Sequence, residues 1–126
     1  MTTTTSRATL FERLGGDPAI QAVMHRFFER ILADPDLAPV FARVNIERHE
    51  RKTSAFVATA TGGPAPWTGR DMAAAHRHLR ITNEQFDRVA GHLLDTLIEF
   101  EVPDETGFEL LTLVGSLRGE IVTASP

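Results

Sequence analysis

Two histidines occupy positions where the helical pattern of this chain would otherwise place plain apolar residues. His76 lies on the apolar stripe of segment 70–80, and His49 lies on the apolar stripe of segment 46–60. The two stripes consist of Met72, Ala75, His76 and Leu79, and of Ile46, His49, Thr53, Phe56, Val57 and Ala60. A run rich in glycine and proline at 62–69 ends the first helix, so the chain turns between the two histidines. Two inward imidazoles on consecutive helices can face each other, and imidazole is the commonest protein ligand for a metal.

The metal hypothesis must be compared with the simpler interpretation that each histidine is a hydrogen-bonded core residue, which is commoner for a single histidine. A structural zinc site is not favoured, because the chain has no cysteine and no His-x3-His pair. His76 and His78 are two residues apart and lie on different faces of a helix. An iron porphyrin needs only one or two protein ligands, so haem fits the histidine count. Without cysteine there is no Cys-x-x-Cys-His attachment, so any haem would be held by coordination and burial, without a covalent bond.

Length and composition predict one small domain. The chain has 126 residues, of which 42% are hydrophobic and 24% charged, enough for a single core. We expect a domain over residues 7–123 with tails at 1–6 and 124–126. The net charge of −4 and the scattered arginines give no reason to expect a nucleic-acid partner. The apolar runs are too short for a membrane span and the threonine-rich start is no signal peptide, so we predict a cytoplasmic monomer or weak dimer with no membrane partner.

The elements that position the histidines are all predicted to be helices. Gly15-Gly16 ends a short helix over 9–14, and Asp17 and Pro18 are the expected N-cap and first-turn proline of a helix that runs to about Ala33. A capping box at 82–85 and Pro103-Asp104 open two later helices. The residues predicted to point inward from these three long helices are Ile20, Val23, Met24, Phe27, Phe28 and Ile31; then Phe86, Val89, Ala90, Leu93, Leu94, Leu97 and Phe100; then Phe108, Leu111, Val114, Leu117 and Ile121. The fold class is therefore all-α.

Several short motifs follow one another along the chain in a specific order. They are Leu14-Gly15-Gly16, Leu32-Ala33-Asp34, Phe41, Gly62-Gly63-Pro64, Trp67-Thr68-Gly69, Met72, His76 and Gly91-His92-Leu93. In this order and spacing the chain resembles the group I truncated haemoglobins over residues 10–122. The resemblance implies a two-over-two helical sandwich around a b-type haem. It also implies that His76 matches the proximal iron ligand.

The resemblance implies further contacts around the cofactor. Met72, Leu79, Phe86 and Leu93 are expected on its proximal side, although such residues at helical spacing are usually core. Lys52 either lies along the haem edge with its ammonium near a propionate or is solvated. The full set of predicted cofactor-binding residues is His76, His49, Lys52, Phe41, Phe56, Val57, Trp67, Thr68, Met72, Leu79, Phe86 and Leu93.

The expected distal side departs from the family pattern. Group I members usually carry a tyrosine at the position of Phe28, and this chain has no tyrosine. Thr53 stands where many members have glutamine. His49 is then the leading candidate to donate a hydrogen bond to dioxygen, which becomes negatively charged at ferrous iron. Two other roles remain open for His49: second iron ligand, or a side chain that points outward.

These residues lead to three functional hypotheses. The first is reversible binding of dioxygen, nitric oxide or carbon monoxide, and the family suggests oxidation of nitric oxide to nitrate with an unidentified reductase. The second is a six-coordinate haem, bound by His76 and His49, for electron transfer or sensing. The third is a helical interaction module without haem.

Overall fold

The computed structural model of the chain describes residues 8–64 and 80–122. The helices in these ranges are α1 at Leu10–Leu14, α2 at Gly16–Ala33, α3 at Ile46–Ala60, α4 at Asn83–Glu99, α5 at Asp104–Gly115 and α6 at Arg118–Ile121, with a 3₁₀ turn at Ala38–Phe41. Within the same ranges the only strand-like pairing is an isolated bridge between Ile81 and Val122. The all-α prediction is confirmed.

A glycine corner joins α1 to α2. Gly15 has φ 108°, a left-handed conformation that ends α1 and directly precedes the first residue of α2. Our prediction of Asp17 as N-cap was wrong: α2 begins at Gly16, and Asp17 and Pro18 lie inside its first turn. The reason is that two successive glycines with positive φ, Gly15 at 108° and Gly16 at 79°, reverse the chain, so no separate capping residue is needed. The resulting tight corner brings α1 against α2.

Helix α2 crosses the centre of the core. Its buried residues are Ile20, Val23, Met24, Phe27, Phe28 and Ile31, the six that its periodicity predicts. The helix packs against α3 on one side and α4 on another. This dense apolar face is the frame on which the other helices are placed.

Helix α3 has the predicted bounds but a different buried face. Its fully buried residues are Ser54 and Ala58, whereas the predicted inward residues Ile46, His49, Thr53, Phe56 and Val57 are half-buried and Ala60 is exposed. The distance between packed helices depends on the side chains at the contact, and small residues allow the closest approach. Ser54 and Ala58 therefore lie where α3 packs against its neighbours, and the larger side chains lie beside this contact.

The buried faces of α4 and α5 also differ from those that the apolar spacing predicted. The capping box at Thr82 is confirmed, with its hydroxyl accepting from the Gln85 N–H at 3.0 Å. Leu94 and Phe100 were wrongly predicted to point inward, since they are 43% and 41% exposed. The inward prediction for Phe108 was also wrong, since this residue is 71% exposed.

The buried face of α5 is formed by Thr106, Gly107 and Leu110 instead. A Cβ added to Gly107 would lie 3.7 Å from Leu97 Cδ1, so the two helices approach closely there. Apolar residues are so frequent from 108 to 117 that their spacing fits more than one helix face. The predicted single last helix is divided, because α5 ends at Gly115 and α6 begins at Arg118.

No helix within the described ranges is both long enough and apolar enough to cross a lipid bilayer.

Candidate functional site

The predicted site is divided between described and undescribed parts of the chain. His76, with Trp67, Thr68, Met72 and Leu79, falls in residues 65–79, outside the described ranges. The proximal ligand therefore stays a prediction from the sequence. The remaining candidates lie on α2, the 3₁₀ turn, α3 and α4.

Three aromatic rings converge where α2, the 3₁₀ turn and α3 meet. The His49 ring centroid lies 5.2 Å from that of Phe28 and 5.6 Å from that of Phe41, with interplanar angles of 75° and 54°. Phe28 and Phe41 are themselves 6.0 Å apart and nearly perpendicular. Aromatic rings prefer such tilted and edge-to-face arrangements. We call Phe28, Phe41 and His49 the distal aromatic cluster.

Local backbone structure places each member of this cluster. Phe28 lies on the buried face of α2 and is 4% exposed. The 3₁₀ turn that carries Phe41 starts directly after the buried Leu37, whose N–H donates to the Asp34 carbonyl oxygen at 3.0 Å. Asn45 caps α3 by accepting from the Arg48 N–H at 3.0 Å, and His49 follows in the first turn. The orientation of His49 thus depends on one helix cap and two neighbouring rings.

The hydroxyl proton of Thr53 is already used in a hydrogen bond within α3. Its Oγ1 donates to the backbone carbonyl oxygen of His49 at 2.9 Å. A hydroxyl has one proton, so it cannot donate to a second acceptor at the same time. The Thr53 hydroxyl is thus directed to its own helix, and the donor role that the sequence predicts for His49 stays a prediction.

The other described candidates occupy three kinds of environment. Phe56 and Val57 are half-buried on α3, and Val57 packs against the main core. Lys52 is exposed. Phe86 and Leu93 are buried on α4, where the guanidinium of Arg118 lies 4.5 Å from the Phe86 ring centroid. These placements suit core packing and cofactor contact equally.

A buried carboxylate that sequence reasoning missed lies beside the 3₁₀ turn. The Asp34 side chain is 3% exposed and accepts from His92 Nε2 at 2.8 Å, from Arg88 Nε at 3.0 Å and from the Asp36 N–H at 2.9 Å. Mainly because of the His92 hydrogen bond, the pKa of Asp34 is lowered to about 2. An ionised carboxylate only accepts, so His92 carries its proton on Nε2.

The signal for this contact was present in the two motifs Leu32-Ala33-Asp34 and Gly91-His92-Leu93, but nothing in the sequence linked them. The contact ties the end of α2 to α4 across 58 positions of sequence. It therefore fixes the start of the turn that carries Phe41.

Comparisons with known proteins cover most of the chain. The family model described as bacterial-like globin matches residues 9–123. The group 1 truncated hemoglobin GlbN of Mycolicibacterium paratuberculosis is 40% identical over 116 residues, which are 92% of this chain and 85% of that protein.

Solved structures show the same likeness in three dimensions. A 2/2 hemoglobin from Synechococcus sp. PCC 7002, with covalently attached heme and in the cyanomet state, has a TM-score of 0.86 at 31% identity and covers 92% of this chain and 98% of its own. A tyrosine-to-phenylalanine mutant of truncated hemoglobin from Tetrahymena pyriformis, in the Fe(III) form, has a TM-score of 0.86 at 28% identity and covers 91% and 98% of the two chains.

Proposed function

The chain belongs to the group 1 truncated haemoglobins and has their 2/2 globin fold, and from this premise we propose that it is a b-type haem protein that reversibly binds dioxygen and other diatomic gases. The observation that carries the proposal is the distal aromatic cluster. In this cluster one imidazole packs against two apolar rings, which supports a role for it toward a small ligand. We infer that His76 binds the iron from the other side and that the haem is held without a covalent bond.

The described residues fit one face of a porphyrin. Phe41, Phe56 and Val57 are half-buried apolar side chains, and His49 adds one nitrogen-bearing ring to the same region. Ligand sites are typically apolar walls with a few polar groups at defined places. When bound, the haem supplies the iron position at which a diatomic ligand is held and the redox chemistry of that ligand.

His49 supplies the polar contact in this proposal. A neutral imidazole carries one N–H, which favours a ligand that has gained negative charge over an uncharged one. Phe28 and Phe41 both pack against the ring, which limits its rotation. One such hydrogen bond is worth about 1 to 1.5 kcal/mol, or roughly tenfold in dioxygen affinity.

We further propose oxidation of nitric oxide to nitrate as the enzymatic role, with a reductase returning the iron to the ferrous state. The support is family membership. Phe28 replaces the usual tyrosine, so the only described side-chain donor of the distal aromatic cluster is that of His49. A six-coordinate haem is the second candidate, and it is favoured by the same inward position of His49, which would suit an iron ligand as well as a donor.

An absorption spectrum of the purified chain mixed with haemin tests the proposal. We expect a strong Soret band, reversible binding of dioxygen to the ferrous protein, and ferrous visible bands that distinguish five-coordinate from six-coordinate iron. His76→Ala should abolish stable haem retention, whereas His78→Ala, at the histidine two positions along the sequence, should retain it. A colourless folded protein would instead support the haem-free interaction module. Steady consumption of nitric oxide with a suitable reductase tests the enzymatic role.

A further inference from the structure

An apolar surface lies exposed along the seam between α4 and α5. Leu94 and Ile98 are one turn apart on α4 and are 43% and 63% exposed, and Phe108 on α5 is 71% exposed. Leu97 and Gly107 pack together across the seam, and each precedes one of the exposed residues in the chain. Ile98 and Phe108 therefore flank the same seam on its outer side. We call Leu94, Ile98 and Phe108 the α4–α5 patch.

The stretch of sequence that carries this patch is acidic. Residues 89–117 contain six carboxylates and no lysine or arginine. Glu99 is paired with Arg26 and Arg30 of α2, and Glu109 with Arg13 of α1. The other four, all exposed and without an ion pair among the described residues, are Asp95, Glu101, Asp104 and Glu105. Arg13 also interacts electrostatically with Glu105, so the protein's own arginines neutralise the acidic border of the patch only in part.

We propose that the α4–α5 patch is a docking surface for a protein partner that presents apolar side chains bordered by lysines and arginines. Large exposed apolar side chains grouped together and rimmed by polar groups mark interaction sites. Complementary charge at the border steers a basic partner to the patch and excludes acidic ones. This inference does not depend on haem binding or on the gas ligand.

The same charges argue against two other occupants. A second copy related by a two-fold axis would place the same acidic border against itself, because the surface must pair with its own copy. An anionic lipid surface would be repelled in the same way. The partner chemistry that remains is a basic protein surface.

Peptide binding to the full-length, haemin-treated chain tests the proposal. The probe is a helical peptide of about 18 residues built only from leucine on one face and lysine on the other, and its matched control carries glutamate in place of lysine. We expect the leucine–lysine peptide to bind, measured by fluorescence anisotropy, and to bind at least about tenfold more weakly when salt is raised, since salt screens exposed charges. We expect no binding of the leucine–glutamate peptide.

Variants locate the binding. Ile98→Ser combined with Phe108→Ser should weaken peptide binding at least about tenfold, since a few large apolar residues dominate most interfaces. Asp104→Asn combined with Glu105→Gln should reduce the salt dependence. Leu32→Ser on α2, where the side chain is 41% exposed, is the matched control and should leave binding unchanged. Circular dichroism checks that every variant remains folded.

Four results would overturn the proposal. They are failure of the leucine–lysine peptide to bind, equal binding of both peptides, equal weakening by Leu32→Ser, and a dimer in sedimentation equilibrium that the Ile98 and Phe108 substitutions dissociate. The last would assign the patch to a second copy of the chain. Binding of phosphatidylserine vesicles through the patch would be a fifth such result.

Discussion

His49 and Thr53 lie one turn apart on α3 and make different contacts. Thr53 directs its hydroxyl proton to the His49 carbonyl oxygen, a contact that a threonine inside a helix makes with its own backbone. The His49 ring packs against the rings of Phe28 and Phe41. The chemical role of each residue is thus set by its immediate contacts.

Replacing the imidazole tests the donor role directly. His49→Leu should speed dioxygen release by roughly tenfold, because one hydrogen bond of about 1 to 1.5 kcal/mol is lost. Haem should remain bound. Stopped-flow displacement of dioxygen by carbon monoxide measures the rate.

Thr53→Val is the matched control for this experiment and should change the rate less than about twofold, since the Thr53 proton is already used by the backbone. An unchanged dioxygen release rate in His49→Leu would contradict the donor role. A large acceleration in Thr53→Val would show that the threonine hydroxyl reorients toward the ligand.

At the scale of the elements, single residues decide where a helix ends, whereas the neighbouring helices decide which of its faces is buried. Gly15 ends α1 because its φ of 108° is open to glycine and strained for other residues. Gly91 lies inside α4 with nothing within 4 Å of an added Cβ. The two glycines are therefore predicted to respond in opposite ways to the same substitution.

Gly15→Ala should lower the free energy of unfolding by at least about 1 to 2 kcal/mol, the cost of a left-handed residue with a side chain. The added Cβ would also lie 2.7 Å from Ala19 Cβ, which requires the corner to shift. Gly91→Ala should raise stability by about 0.5 to 1 kcal/mol, because alanine suits a helix interior better. Urea unfolding measures both, and equal effects of the two substitutions would contradict the assignment.

Leu94 and Leu97 test which face of α4 is buried. Leu97 is 2% exposed and lies in the core, and Leu94 is 43% exposed. Leu97→Ala should cost about 2 to 5 kcal/mol of stability through the cavity it leaves. Leu94→Ala should cost less than about 1 kcal/mol. Similar losses for the two variants would mean that α4 is rotated relative to this description.

The whole molecule is held together by contacts between helices that are far apart in the sequence. Several are exposed ion pairs, such as Arg13 with Glu109 and Arg118 with Asp87, and such pairs contribute little because water screens them. The Asp34 contact with His92 differs, because the carboxylate is buried and joins α2 to α4. It is the ionic contact with the clearest consequence for stability.

Asp34 makes the stability of the fold sensitive to acid. Its folded pKa of about 2 is below the ordinary value of 3.8, so its ionised form stabilises the fold above pH 3.8. This contribution is lost as the pH falls toward 2. Asp34→Asn should be less stable than the natural chain at pH 7, and the difference should shrink between pH 3.8 and pH 2. Denaturant unfolding at several pH values measures it.

Asp36→Asn is the matched control for Asp34→Asn. The Asp36 carboxylate is exposed and lies 3.5 Å from Arg88, so its substitution should change stability by less than about 0.5 kcal/mol at any of these pH values. If Asp34→Asn differed from the natural chain by the same amount at pH 7 and pH 2, the stabilising role of the ionised carboxylate would be contradicted.

The sequence by itself determined the helix ends that depend on local hydrogen bonds, such as the capping box at Thr82, and the apolar face of α2, where the spacing is dense and unambiguous. It also identified the family. Only the tertiary structure decided that α3 packs through Ser54 and Ala58 and that Phe108 faces outward. Caps act within three or four residues and can be read locally. The choice among apolar faces, and the meeting of Asp34 with His92, depend on helices brought together by the fold.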